Sequence, residues 1–267
     1  MSRFFRLREQ PSLVQRVVAG GLCLAFVLGL WFILTSGPVE KRVLGPSQLP
    51  SIGETAGSFH SLWFDRALTR NTFASLERIL LGFGLAVLIG VPLGVLCGTW
   101  PRINAFFAPL TVFGRNVPIS ALLPLTLMWF GIDEMQKIMF MFISCIAFVV
   151  FDTARAIAEV EDRYVQSAYT LGASNSQIVL KVLIPLALPE IFGSLRLLFG
   201  FAFGYIVLVE MVNAEMGLGS LILVSQRIGP KEHVYLILFA ITLIAYGIDR
   251  MLLWTERHLF PYRETDG

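Results

Sequence analysis

Few residues in this 267-residue sequence could do chemistry. Arg115 is a cation set in the apolar stretch Ile103–Ile132, which also holds Pro109, Pro118 and Pro124. A charge in such a setting must face a protein interior or a wet path. Asn116 follows it directly, and Glu210 ends a second apolar run, where an acid suits a gate or a buried ion pair. His60, His233 and His258 are isolated, so no metal site is expected, and the sequence has no H-E-x-x-H or G-x-S-x-G pattern for a hydrolase. A third feature is mechanical. Val165–Pro189 interrupts an otherwise lipid-like sequence with mixed polarity, a helix stop and a fresh helix start.

The elements that must position these residues follow from composition. The sequence is 55% hydrophobic and only 15% charged, with a mean hydropathy of +0.71, against about 25% charged for an ordinary soluble domain. An all-α polytopic membrane protein is expected. A span needs about 20 mostly apolar residues; Val17–Thr35 and Ile79–Pro101 meet this cleanly, while Ile138–Phe151, Leu197–Val209 and Val234–Ile248 are bounded closely by charge. Ile103–Ile132 is too long for one helix and reads as a broken span, giving about six in all. The apolar run after Arg3, Arg6, Arg8 and Arg16 exceeds a signal core and precedes no A-x-A site, so a retained first helix is expected. With the N-terminus inside, eleven Lys and Arg residues fall on the cytoplasmic side against seven outside, the bias that the positive-inside rule requires.

The resulting plan is a cytoplasmic tail over 1–16, a first span over 17–35, an external connection over 36–71, a core over 72–257 and a cytoplasmic tail over 258–267. A further long connection, Asn213–Glu232, is expected on the outer side, with Gly217-Leu218-Gly219 and Gly229-Pro230 in it. Gly90, Gly94 and Gly98 recur every four residues and predict close helix packing; Gly200 and Gly204 repeat the pattern more weakly. Arg78 and Asp249 read as interface anchors. The net charge of +2 and the lack of a basic run give no reason to expect nucleic acid, and Cys23, Cys97 and Cys145 read as small apolar residues within spans.

The interruption at about 156–189 specifies its own geometry. Val160, Tyr164, Ala168 and Leu171 recur at helical spacing among Glu161, Asp162, Arg163, Gln166, Ser167 and Thr170, which predicts a short amphipathic helix. Gly172 suits the left-handed residue that ends helices. Ser174 through Gln177 has the capping-box pattern that starts another. Pro185 is expected to break or kink this second helix, and Pro189 to sit in the first turn of the next span. Two short helices meeting at a glycine corner, held at both ends by spans, make either a docking element or a plain interfacial connection between the fourth and fifth spans.

These residues resemble the cytoplasmic signature of the permease subunits of bacterial ATP-binding cassette importers: E-A-A, three residues, G-A, then L-P. The matching residues are Gln166-Ser167-Ala168, Gly172-Ala173-Ser174, Ile184-Pro185 and the later Pro189, with Gln, Ser and Ile departing from the pattern. Further runs are similar to the branch that imports sulfonates, taurine, nitrate and related anions: Leu49-Pro50-Ser51, Ser75 to Phe83, Gly90 to Gly94, Arg115 to Pro118, Leu122 to Leu125, Trp129 to Ile132, Glu210-Met211, Gly217-Leu218-Gly219 and Asp249-Arg250. The resemblance spans about residues 45–257. It implies a non-catalytic transport subunit that pairs with a second permease copy, docks two ATPase subunits and receives cargo from an extracytoplasmic solute-binding protein. The coupling residues it implies are Gln166, Ser167, Ala168, Leu171, Gly172, Ala173, Ser174 and Pro185. ATP and Mg are expected on the ATPase, since this sequence has no phosphate-cradling G-x-x-x-x-G-K-[ST] loop.

Overall fold

A computed structural model describes residues 12–261, so Arg3, Arg6, Arg8 and Arg263 and most of both terminal tails lie outside the described residues. Helices dominate. Five are long and apolar enough to cross a membrane: α1 (Leu13–Thr35), α3 (Leu68–Thr99), α6 (Glu134–Ala158), α9 (Ile184–Asn213) with the turns that lead into it, and α11 (Lys231–Leu259). The broken span consists of α4 (Pro101–Asn116) and α5 (Ile119–Phe130), bent by 105°. The break falls at Val117-Pro118, where proline's missing amide and the extended conformation it imposes on its predecessor end α4.

The bundle is organised by α3 against α6. Gly82, Gly90, Gly94 and Gly98, with the buried Ala86 in register, run down one face of α3. A Cβ on these glycines would lie 2.4 Å from Met141, 2.8 Å from Val149, 2.5 Å from Thr153 and 2.6 Å from Ile157, so the two backbones touch where no side chain fits. Gly200 and Gly204 do not repeat this role. A Cβ at either would meet nothing within 4 Å, because they lie on the exposed face of α9.

Three apolar clusters follow. The largest joins α3, α5, α6 and α9 around Ile79, Phe140, Met141, Cys145 and Ile206. A second, at the end where α3 and α11 begin, gathers Leu62, Leu68, Leu218, Leu221, Ile222 and Ile237. The third, at the opposite end, holds Val95, Ile157, Val179, Ala187 and Ile191.

The Asn213–Glu232 connection carries a helix of its own. This is α10 (Leu218–Arg227), whose Leu218, Gly219, Ser220, Leu221, Ile222 and Ser225 are buried. Its composition suits a short helix, but only burial against α3, α9 and α11 stabilises ten residues as one. The 36–71 connection also carries structure: α2 (Ile52–Gly57), a wide helical turn over Ser61–Asp65, and the first residues of α3. Trp31 Nε1 of α1 donates to the Pro50 carbonyl at 2.9 Å, and Ser61 Oγ lies 2.8 Å from His233 Nε2, so His233 is built into this packing rather than isolated.

Before α2, Ser51 and Glu54 exchange capping-box hydrogen bonds and Arg42 pairs with Glu54 at 3.0 Å. The Ser51 amide, then its hydroxyl, and then Arg42 hold the Glu54 carboxyl below the usual carboxylate range. A depressed folded pKa contributes stability above the unfolded value and loses it as pH falls through the folded one. Amide exchange over 51–57 is therefore expected to stay protected from neutral pH down to the carboxylate range and to rise below it. In Glu54→Gln the protection should be lower already at neutral pH and flat with pH; a wild-type profile that is also flat would remove this role.

Candidate functional site

The interruption forms the corner that its residues specify. α7 (Asp162–Thr170) ends at Leu171, and Gly172 follows at φ +79°, in the left-handed region. The Gly172 amide donates to the Tyr169 carbonyl at 2.9 Å and the Ala173 amide to the Ala168 carbonyl at 3.0 Å, the pair of bonds of a Schellman cap. Ser174 then accepts from the Gln177 amide while the Gln177 side chain accepts from the Ser174 amide, starting α8 (Asn175–Ile178). Tyr169 Oη donates to Asn175 Oδ1 at 2.9 Å and ties one helix to the other.

The corner is rigid beneath and open above. Ala168, Ile178 and Val179 are buried, with Val179 in the cluster shared with α3, α6 and α9. Gln166, Ser167, Gly172 and Ser174 are exposed, and Ala173 is half-buried. Leu171 stands 88% exposed, an apolar side chain presented outward at the tip.

Pro185 does not break the path into the membrane. The turn Val179–Leu183 widens so that the Ile184 amide bonds to the Val179 carbonyl, five residues back, and α9 starts with Pro185 in its first turn. Widening relieves the clash of the proline ring with the Lys181 carbonyl and absorbs its missing donor. Pro189 lies inside α9, beyond its first turn, and is buried. The second helix thus runs on into the span, so displacement at the corner has a continuous helical path inward.

At the far end, Glu210 is fully buried and belongs to an ion-pair network rather than an open path. Ser75 Oγ donates to it at 2.8 Å, Arg78 Nη1 at 2.6 Å and the Gly219 amide at 2.9 Å. Arg78 is not an interface anchor. It is 4% exposed, donates also to the Met216 carbonyl at 2.7 Å, and reaches Glu134 at 2.6 and 2.8 Å. The Gly217 amide donates to Asn71 Oδ1 at 2.7 Å and the Leu218 amide to Ser75 Oγ at 2.9 Å. Gly217, at φ +128°, could carry no Cβ, which would fall 2.4 Å from the Glu210 carboxyl carbon. The network clamps the start of α10 between α3 and α9. Asp249, the other expected anchor, pairs with Arg196 at 2.9 Å.

Arg115 and Asn116 sit at the α4–α5 break. A Cβ on Gly114 would lie 2.8 Å from that of Ala147, a residue roughly 20 Å along α6 at about 1.5 Å per residue, so the break lies about midway down that helix. The Arg115 guanidinium stacks 3.6 Å over the Phe151 ring, and its Nε finds no hydrogen-bond partner among the described residues. Asn116 is exposed and donates to the Val112 carbonyl at 2.7 Å. Arg115 and Glu210 are thus in different parts of the molecule, one on an aromatic face and the other in the clamp.

A family model described as the binding-protein-dependent transport system inner membrane component matches residues 90–260. The chain belongs to this family. It is the permease subunit of an ATP-binding cassette importer. The permease is 30% identical over 260 residues to the taurine transport system permease protein TauC of Escherichia coli, covering 96% of this chain and 94% of that one. It is 30% identical over 245 residues to the bicarbonate transport system permease protein CmpB of Synechococcus elongatus, 88% of each chain. It is 28% identical over 249 residues to the nitrate import permease protein NrtB of the same organism, covering 90% and 88%. Among solved structures, the MetNI methionine transporter in inward-facing conformations aligns with a TM-score of 0.67 at 23% identity, over 75% of this chain and 98% of that one, a likeness of fold.

Sequence reasoning missed Ser75, Asn71 and Glu134 as partners in the permease's clamp. Ser75 and Arg78 both lie in the Ser75–Phe83 run, but their acid lies 132 residues from Arg78, and the i, i+3 spacing of Ser75 and Arg78 was the only local signal.

Proposed function

We propose that this permease imports a small anion of the sulfonate, taurine, nitrate or bicarbonate class, driven by ATP hydrolysis on a partner ATPase. Two copies form the path with two ATPase subunits docked beneath, and an extracytoplasmic binding protein delivers the cargo. Both termini face the cytoplasm, in keeping with the Lys and Arg bias. The permease itself carries no cofactor; ATP and Mg belong to the ATPase. The exposed corner at Gln166–Ser174 is the coupling element, and Gln166 offers its partner neutral hydrogen bonds where the family pattern has a carboxylate.

The observation that carries the anion reading is Arg115 at the break of the α4–α5 span, with a ring face on one side and an unmet donor on another. Broken helices at mid-depth are where transporters place cargo groups, and a cation there suits an anion. The taurine, nitrate and bicarbonate names of the relatives support the same class.

Arg115→Ala is expected to lower anion uptake about tenfold or more, the loss that corresponds to ~1.4 kcal/mol, with assembly and stimulated ATP hydrolysis retained. Arg115→Lys keeps the charge but loses the planar stack on Phe151 and should fall between. Undiminished uptake by the alanine variant would take Arg115 off the path.

A further inference from the structure

An apolar cleft of about 780 Å³ opens between the Ser61–Asp65 turn, the start of α3 and the first half of α11. Its walls include Phe59, Trp63, Phe73, Phe239 and Leu243, and all five stand 41–66% exposed. On α11 it runs from Leu236 to Ile244, hence from roughly 8 to 20 Å below the helix start at Lys231, at about 1.5 Å per residue. With the start of the α11 span set at the membrane interface, that range reaches the depth of acyl chains. Trp63 at the cleft's rim has the amphipathic ring favoured at the interface.

The chain beside the cleft is also charged. Arg66 and Arg70 are not wall residues, but they lie within three positions of the wall residues Trp63, Leu68 and Thr69, both are exposed, and neither pairs with a carboxylate among the described residues. Asp65 is the only acid between residues 61 and 71. An apolar occupant alone gives two unpaired guanidinium groups nothing to bind, whereas a phosphate matches them in charge and geometry. The other apolar candidate, α1 of a second copy, contains no acidic residue to supply the counter-charge.

We propose that this cleft holds one glycerophospholipid of the surrounding bilayer, an acyl chain between α3 and α11 and its phosphate against Arg66 and Arg70. The site lies away from Arg115 and from the coupling corner, and it depends on neither the cargo nor the ATPase. The bound lipid fills the space beneath the Ser61–Asp65 turn and completes its packing on the bundle.

The test uses the full-length chain in phosphatidylethanolamine vesicles doped with phosphatidylglycerol carrying a photoactivatable acyl chain, and in parallel with the same chain on diacylglycerol. Labelled peptides should centre on residues 59–73 and 236–244, severalfold more for the phosphatidylglycerol probe. Ala240→Trp, which fills the cleft, should remove most of that label. Arg66→Gln with Arg70→Gln, both at exposed positions where folding is unaffected, should lower phosphatidylglycerol labelling to the diacylglycerol level. Equal labelling of the cleft and of exposed positions such as Phe106 would overturn the proposal, as would labelling indifferent to the two arginines. Cysteine crosslinks joining α1 of one copy to residue 239 of the other would overturn it in favour of the second copy.

Discussion

Gly172→Pro is expected to abolish stimulated ATP hydrolysis by the assembled transporter while the permease remains in the membrane. Gly172 holds φ at +79° and its amide donates to the Tyr169 carbonyl. Proline fixes φ near −65° and has no amide hydrogen, so neither feature survives. The damage stays local. No atom lies within 4 Å of a Cβ placed there, and the spans on either side are held by buried residues such as Ile157 and Ile191. Gly172→Ala needs no room but must adopt the left-handed conformation, at a cost of about 1–2 kcal/mol, and should give intermediate stimulation. Hydrolysis in membrane vesicles, measured with and without cargo-loaded binding protein, reads the series; a proline variant as active as wild type would end the role of the corner in coupling.

The second large effect concerns the clamp, where the two partners of one buried ion pair should not be equivalent. Arg78→Met leaves Glu210, fully buried, with no cation, and is expected to cost about 3–5 kcal/mol. Glu210→Met leaves Arg78 still paired with Glu134, whose side chain is 61% exposed, and should cost less. The double replacement removes the orphaned charge and should be milder than Arg78→Met alone. Thermal unfolding of the purified permease in detergent, followed by loss of the monodisperse species, gives the order. Additive losses in the double variant would show that the two residues act independently and that the clamp is not one unit.

Much of this was legible because it is local. The helix stop at Gly172, the capping box at Ser174 and Gln177, and the existence of a break within Ile103–Ile132 each depend on residues within a few positions of one another, where backbone sterics and capping chemistry act, whereas which of its three prolines carries the break did not follow. The Gly90, Gly94 and Gly98 stripe announced a close packing face for the same reason. What it packed against did not follow, and the same spacing at Gly200 and Gly204 gave an exposed face instead. Small residues permit a close approach; they do not supply the partner.

By itself, then, the sequence determined an all-helical membrane permease with one broken span and a rigid exposed corner, because span length, periodicity and helix caps are written in neighbouring residues. Tertiary structure alone decided that Leu218–Arg227 is a buried helix, that Pro185 is absorbed by a widened turn, and that Arg78, Ser75 and Glu210 meet. The physical reason is desolvation: a buried carboxylate must find its donors wherever the fold brings them, and here the cation lies 132 residues away along the chain.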